Sequence, residues 1–312
     1  MRPRFLWRLR SATLELGPRT LLMGVLNVTP DSFSDGGRYL SRDAAVEHGL
    51  RMLAEGADIV DIGGESTRPG ATVGRGANAS TAAGTTTGLA SEPVSPEEEL
   101  SRVLPVIREL KRAAPKAIIS IDTYKASVAR AAVEAGAEIV NDVGALRWDP
   151  AMSATVAELA CGAVLMHARG LPHEWRTLPA LGAEVVELVL RDLAHWTAEA
   201  KRAGIGRDRI VVDPGFGFGK NFGENYPLLA RLEELHRLGY PVLVGASRKS
   251  FIGQTVSRTG KPVPPEERLF GTLATVTASI LQGAHLVRVH DVAAARETAA
   301  VADEILNHRV IG

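Results

Sequence analysis

The sequence predicts an α/β fold built as a single (β/α)8 TIM barrel. Short apolar runs rich in β-branched residues alternate with longer amphipathic runs along nearly the whole chain. Strict alternation of this kind predicts a parallel sheet covered by helices, and eight repeats close most naturally into a barrel. A doubly wound open sheet is the alternative architecture. The chain has 312 residues, which is enough for one such barrel.

The eight strand-like runs are each bounded by Gly, Pro or Asp, which favour turns and strand ends. They span residues 21–28, 58–62, 117–121, 138–141, 163–166, 210–212, 241–244 and 286–289. Between them, apolar residues recur at spacings of three and four, which predicts helices. The predicted helices span residues 44–55, 96–114, 125–135, 151–160, 183–203, 226–238, 266–282 and 293–307.

The first twenty residues precede this alternation. Leu14 and Leu16 alternate with polar residues, and Gly17 and Pro18 follow them as a turn signal. This pattern predicts a short N-terminal strand or hairpin that covers the bottom of the barrel.

One segment after the second strand interrupts the pattern. Residues 72–91, TVGRGANASTAAGTTTGLAS, consist almost entirely of Thr, Ala, Gly and Ser. Such a composition buries too little apolar surface to offset the entropy of ordering, so we expect a flexible, disordered insertion. A linker between two domains is the alternative, but the β-α alternation resumes unchanged at Pro96. We therefore expect one domain over residues 1–312.

The composition limits the classes of partner. The chain has 36 basic and 36 acidic side chains, so it lacks the net positive charge typical of nucleic-acid binding, and no apolar run approaches a membrane span. Small-molecule substrates are expected instead, with no nucleic acid and no membrane. A single cysteine, Cys161, excludes an internal disulfide and a multi-thiolate metal site, and it favours a reducing, cytoplasmic compartment.

Polar residues follow the ends of the predicted strands, where the loops of a barrel converge on one face. Asp122 and Asp213 each end a buried run, and either could simply cap the next helix. With Asn141 and Lys249 they would instead form a pocket of carboxylates, an amide and an ammonium group. Such a pocket suits a flat heterocycle with an N–H edge and a carbonyl oxygen, such as guanine or pterin.

A second group of polar residues suits a phosphate. Arg288 and His290 lie two apart at the end of a strand, so both should face the barrel mouth and could hold a phosphate or pyrophosphate. A salt-bridged arrangement with Asp291 is the alternative. Asn27, at the end of the first strand, could supply an oxygen ligand to Mg²⁺ on such a diphosphate, although alone it is only a turn residue.

Two further signals point away from common catalytic motifs. The run GFGFGK at 215–220 resembles a phosphate loop, but Asn221 follows where such a loop needs Ser or Thr. We interpret it as a loop that allows close backbone approach. His167 could be a general base, but a hydrogen-bonded histidine in the barrel mouth is the preferred interpretation.

Four segments together resemble one enzyme family. They are NVTPDSFSDGG at 27–37, STRPG at 66–70, SRK at 247–249 and RVHDV at 288–292, and in this combination they are similar to the signatures of the dihydropteroate synthases. The resemblance covers the chain from about residue 20 onward. It implies a (β/α)8 barrel that joins 6-hydroxymethyl-7,8-dihydropterin pyrophosphate to p-aminobenzoate and releases pyrophosphate. It also implies a homodimer packed through late helices.

The resemblance also implies roles for individual residues. The pterin pocket would be formed by Asp122, Asn141, Asp213, Lys249 and the neighbouring Met166. Pyrophosphate and Mg²⁺ would be held by Asn27, Arg288 and His290. The p-aminobenzoate site would be formed by Phe33, Thr67, Arg68, Pro69, Phe218 and Ser250, with Asp35 over the reacting carbon. The departure of pyrophosphate would leave a pterin methylene cation, which the carboxylates of Asp35, Asp122 and Asp213 would stabilise.

Two other functions remain as alternatives. A methyltetrahydrofolate-dependent methyltransferase barrel would share the pterin-facing Asp and Asn residues, but it would not need Asp35, the STRPG loop, Arg288 or His290. A degenerate paralogue would bind pterins without turnover. The insertion at 72–91 keeps the second alternative open, because it directly follows the predicted p-aminobenzoate loop.

Overall fold

The computed structural model describes residues 2–29, 37–65 and 93–308. The chain begins with an antiparallel hairpin of β1 (Phe5–Arg8) and β2 (Thr13–Leu16), in which Phe5 pairs with Leu16. Trp7 and Leu16 are fully buried and pack on apolar residues inside the lower end of the barrel, and the indole N–H of Trp7 donates to the backbone oxygen of Arg209 at 2.8 Å. The predicted hairpin over the barrel bottom is therefore confirmed.

Eight parallel strands form the barrel within the described residues. They are β3 (Leu21–Asn27), β4 (Ile59–Gly63), β5 (Ile118–Asp122), β6 (Ile139–Asp142), β7 (Gly162–Met166), β8 (Ile210–Asp213), β9 (Leu243–Val244) and β10 (Leu286–Val289). Their order is β8-β7-β6-β5-β4-β3-β10-β9, and one parallel bridge between Val212 on β8 and Val242, the residue before β9, joins the two ends of the sheet. The sheet is thus closed, which confirms the barrel and excludes the open sheet.

Helices cover the outside of the barrel. In the described ranges they are α1 (Gly37–Glu55), α2 (Pro96–Ala113), α3 (Ala126–Glu134), α4 (Met152–Leu159), α5 (Val185–Arg202), α6 (Asn225–Ala230), α7 (Ser250–Thr255), α8 (Leu269–Leu281) and α9 (Val292–Asn307). No helix within these ranges is long and apolar enough to cross a membrane.

Three helical segments differ from the sequence-based prediction, and the first of them, α1, begins at Gly37 instead of residue 44. The run predicted as one helix over 226–238 is divided into α6 and a 3-10 segment, Leu232–Leu238, because Arg231 between them adopts φ −112° and ψ 23°, outside the helical region. Helix α7 was not predicted, because six residues are too few to establish a helical periodicity.

The return of the chain after the low-complexity segment follows ordinary helix rules. The Ser95 hydroxyl accepts a hydrogen bond from the Glu98 N–H at 3.2 Å, and Pro96 occupies the first turn of α2. The strands on either side of the segment, β4 and β5, pair directly in the sheet. The predicted insertion at 72–91 itself lies outside the described residues.

Candidate active site

The carboxyl ends of four neighbouring strands place functional residues side by side. Asn27 on β3 pairs in register with Gly63 on β4, which pairs with Asp122 on β5. Asp122 in turn pairs with Asn141 on β6. Because Gly63 has no side chain, space opens in this row: the Cβ position that it lacks lies 3.8 Å from both Asn27 Oδ1 and Asp122 Oδ2.

A guanidinium group from β10, the strand that pairs with β3, enters this row. Arg288 on β10 donates from Nε to Asp61 Oδ2 at 2.6 Å and from Nη2 to Asp122 Oδ2 at 2.7 Å. The same oxygen of Asp61 accepts a hydrogen bond from Asn141 Nδ2 at 3.0 Å. Asp61 is fully buried, and its second oxygen has no hydrogen-bond partner among the described residues. Arg288 therefore lies between two carboxylates and does not pair with Asp291, which was the alternative arrangement.

Burial sets the ionisation of this cluster. It raises the pKa of Asp122 to about 7, against the lowering effect of Arg288. Burial opposes the charge on Arg288 too, but Asp61 and Asp122 raise the pKa of its guanidinium above the ordinary value. The cluster thus combines a permanent cation with a carboxyl group that titrates near neutral pH.

Asp213 lies on the other side of the mouth, at the end of β8. It accepts a hydrogen bond from the Gly215 N–H at 2.7 Å, and burial raises its pKa to about 6. The absent Cβ of Gly245 would lie 3.5 Å from Asp213 Oδ2 and 3.8 Å from Arg288 Cβ, so Asp213 and Arg288 border the same space.

Lys249 and Phe218 form one wall of this space. The Lys249 ammonium lies 3.9 Å from the centre of the Phe218 ring, within the range of a cation–π interaction. The Trp175 ring meets Phe218 edge-on at 5.2 Å. Phe218 is therefore held as an aromatic surface beneath a cation.

His290 and Asn27 border a cavity of about 470 Å³ beside the cluster, next to the first turn of α9. His290 Nδ1 is 2.9 Å from the Ser247 hydroxyl, and burial, with the charges of Arg288 and Arg248, lowers the pKa of His290 to about 3. His290 is accordingly neutral at physiological pH in the free protein.

Arg248 and Asp291 line the same cavity and pair with each other. Arg248 donates through Nε at 3.0 Å and through Nη2 at 2.5 Å to the two oxygens of Asp291. Its backbone adopts φ +57°, a conformation that non-glycine residues rarely hold, and its N–H donates to the Thr272 hydroxyl at 3.0 Å. The first turn of α9 is consequently not capped by the Asp291 side chain.

The residues predicted for the site fall into three groups. Those brought together at the mouth are Asn27, Asp122, Asn141, Asp213, Phe218, Lys249, Arg288 and His290. Met166 is buried at the end of β7, and Ser250 is exposed at the first position of α7. Phe33, Asp35, Thr67, Arg68 and Pro69 lie outside the described residues.

The sequence analysis assigned no role to two residues that the structure brings to the site. Asp61 is a charged residue inside an otherwise apolar strand, which was the available signal. Lys220 ends the Gly-rich run, is 7% exposed and donates hydrogen bonds below the mouth. His167 is fully buried and hydrogen-bonded to Lys220 at 2.9 Å, in agreement with the preferred interpretation of this histidine.

Comparison with known proteins identifies the family. The model of the pterin-binding enzymes matches residues 23–82 and 73–290. A dihydropteroate synthase of Bacillus subtilis is 43% identical over 298 residues, which are 96% of this chain and 93% of the relative. A solved dihydropteroate synthase of Xanthomonas albilineans with 4-aminobenzoic acid is 43% identical, with a TM-score of 0.81 and coverage of 98% of each chain.

A second solved structure of the Xanthomonas albilineans enzyme, in complex with 7,8-dihydropteroate, is 41% identical, covers 97% of this chain and 98% of that one, and has a TM-score of 0.78. The matches extend over nearly the whole length of both partners and include the strands that carry Asp122, Asp213 and Arg288. By sequence and by fold, the chain belongs to the pterin-binding enzymes, within the dihydropteroate synthase family.

Proposed function

We propose that this chain joins 6-hydroxymethyl-7,8-dihydropterin pyrophosphate to p-aminobenzoate and forms 7,8-dihydropteroate and pyrophosphate. The observation that carries the proposal is the Arg288 cluster, which sets a permanent cation between Asp61 and Asp122 beside the row of Asn27 and Asn141. Relatives that bind 4-aminobenzoic acid and 7,8-dihydropteroate at 41–43% identity support it.

The pterin would lie between Asp122 and Asp213. Their carboxylates can accept hydrogen bonds from the N–H edge of the ring, and the Asn141 amide can both donate and accept. The Lys249 ammonium can donate to the ring carbonyl oxygen, while Met166 would contact the ring from the buried side. Burial raises the pKa of both carboxyl groups in the free protein, and N–H groups bound to them would favour the ionised forms.

Arg288, His290 and Asn27 would hold the pyrophosphate and its Mg²⁺. Mg²⁺ prefers oxygen ligands and usually takes only one or two from the protein, with waters and phosphate oxygens completing its shell. Asn27 Oδ1, which lies 3.8 Å from the missing Cβ position of Gly63 at the strand ends, fits this requirement as one protein ligand. When bound, the metal would neutralise charge that develops on the leaving pyrophosphate.

The chemistry needs electrostatic stabilisation more than an acid–base pair. Loss of pyrophosphate leaves a pterin methylene cation, and ionised Asp122 and Asp213 would stabilise it, with Asp35 as a third carboxylate. The aniline nitrogen of p-aminobenzoate is already nucleophilic when neutral. We propose that Phe218 and Ser250, with Phe33, Thr67, Arg68 and Pro69, hold that substrate.

We also propose a homodimer and a single domain. Phe270 at the start of α8 is 84% exposed, and Val256, Val301 and Ile305 add exposed apolar surface on the late helices, which supports packing through this part of the chain. Direct pairing of β4 with β5 across the 66–92 segment supports one domain over 1–312.

The test is pyrophosphate release by the purified protein with the pterin substrate and Mg²⁺, with and without p-aminobenzoate. We expect release that depends on p-aminobenzoate, together with dihydropteroate as product. Asp122→Asn should abolish most of it, whereas Asp208→Asn, an exposed residue at the barrel bottom, should not. Pterin binding without product would support the pterin-binding paralogue instead.

A further inference from the structure

A buried lysine lies beneath the Gly-rich loop at 215–220 and has no part in the proposed chemistry. Lys220 Nζ is 2.8 Å from the backbone oxygen of Gly215, 3.3 Å from that of Phe218 and 3.2 Å from that of His167. It also lies 2.9 Å from the His167 ring nitrogen Nδ1. One ammonium group therefore joins both ends of the loop to the strand end beside it.

The histidine below this lysine is built to accept its hydrogen bond. Burial lowers the pKa of His167 to about 3, so its ring is neutral and Nδ1 can accept from Lys220. The other nitrogen, Nε2, faces Asp192 Oδ2 at 3.4 Å, and the ring stacks on Trp196 at 5.1 Å. Asp192 and Trp196 belong to α5, so the lysine rests on a fixed support.

The loop above the lysine approaches its neighbours so closely that two of its positions require glycine. Gly215 has φ +66°, and a Cβ there would lie 1.9 Å from the His167 backbone oxygen. At Gly219, with φ +68°, an added Cβ would lie 2.7 Å from Arg169 Cβ. Glycine permits this approach but increases backbone freedom, which external hydrogen bonds must restrict.

Phe218 connects Lys220 to the candidate active site. Its backbone oxygen accepts from Lys220, and its ring lies 3.9 Å below the ammonium group of Lys249. Two lysines thus hold one residue from opposite sides. A shift of the loop would move this aromatic surface.

We propose that Lys220 is a positioning residue, which fixes the Phe218 ring for binding of the aromatic amine substrate. This inference rests on the proposed function, because it concerns the same site. Burial lowers the pKa of Lys220 to about 7, so keeping an amine here is unfavourable. A methionine would fill similar space without that cost, which indicates that the hydrogen bonds to the loop are what the lysine provides.

The experiment compares Lys220→Met and Lys220→Gln with the parent enzyme in steady-state kinetics. We expect the KM for p-aminobenzoate to rise about tenfold in Lys220→Met, while kcat changes by less than about threefold, since misplaced groups weaken binding. Lys220→Gln keeps two N–H donors and should give an intermediate KM. Lys116→Met, which replaces an exposed lysine at the opposite end of the barrel, is the matched control and should behave as the parent does.

Whether the Lys220 variants change KM or the apparent kcat distinguishes a positioning role from a merely structural one. Partial unfolding would lower the active fraction, and with it the apparent kcat, but would leave KM unchanged. An unchanged KM in Lys220→Met would overturn the proposal, and so would failure of both Lys220 variants to fold. If the parent enzyme itself forms no dihydropteroate, the proposed function fails; if the parent is active and only the KM effect is missing, this inference alone fails.

Discussion

The two ends of the barrel differ in what the same eight strands hold: apolar packing at the bottom and buried polar groups at the top. At the bottom, Trp7 and Leu16 close the barrel with a plug of apolar side chains. Nearby, the carboxylate of Asp303 accepts hydrogen bonds from the Thr20 hydroxyl at 2.8 Å and the Thr20 N–H at 2.6 Å. At the top, Asp61 keeps a buried oxygen without a partner among the described residues. Packing and hydrogen bonds at the bottom stabilise the fold, and this stability offsets the cost of burying carboxyl groups at the top.

The strongest test of this comparison removes the cation at the top. Arg288→Met should lower kcat/KM by about a thousandfold or more, since Asp61 and Asp122 lose their counter-charge and pyrophosphate loses a donor. Steady-state kinetics with both substrates measures this. Arg8→Met removes an exposed arginine at the bottom, paired at 3.4 Å with Asp208, and should leave kcat/KM unchanged. A loss below tenfold in Arg288→Met would contradict the central role given to this cluster.

The converse test removes the plug at the bottom. Trp7→Ala should lower the free energy of unfolding by about 3–5 kcal/mol because it leaves a cavity in a fully buried site, while the kcat of the folded enzyme stays near that of the parent. Denaturant unfolding and kinetics on the same preparation measure both quantities. Leu6→Ala, on the same strand at 65% exposure, is the matched control. If Trp7→Ala lowered kcat at unchanged stability, the two ends would not be independent.

A third test uses the pH dependence of stability at the bottom. His285 accepts from the Val242 N–H at 3.1 Å, and burial lowers its pKa to about 3. Between pH 6.5 and 3 the unfolded chain binds a proton there and the folded chain does not, so this histidine lowers stability as the pH falls. The stability gap between the parent and His285→Gln should therefore narrow by about 1.6 kcal/mol from pH 6.5 to pH 5. Urea unfolding at both pH values measures it, and a constant gap would show that His285 keeps an ordinary pKa.

The smallest expected effect concerns pterin affinity at the top. Asp122 has a pKa of about 7 in the free protein, so its carboxylate is present at pH 8 and largely protonated at pH 6. If the ionised form accepts the pterin N–H groups, the Kd for the pterin should rise roughly tenfold from pH 8 to pH 6. Calorimetric titration measures the Kd. In Asp122→Asn, the Kd for the pterin should hardly change between pH 6 and pH 8. If the Kd of the parent enzyme did not change with pH, groups other than Asp122 would recognise the pterin.

Local patterns in the sequence predict the barrel well but describe its site only in part. The eight strands were found because each is a short β-branched run with its own turn signals, and Asp122, Asp213 and Arg288 were found because they stand at strand ends. The pairing of Arg288 with Asp61 joins residues 227 positions apart, and no local pattern indicates it. The support of Lys220 by His167 depends in the same way on two strands meeting in space.

The junctions between neighbouring strands of the barrel differ in the number of residues that pair. Seven of the junctions between neighbouring strands are ladders, whereas β8 and β9 meet at the single bridge of Val212 with Val242. This junction has fewer paired residues than any other in the described sheet. Asp213 is the last residue of β8, and Lys249 lies in the loop after β9. Opening of this junction would therefore widen the gap between the carboxylate and the ammonium group that are proposed to face the pterin.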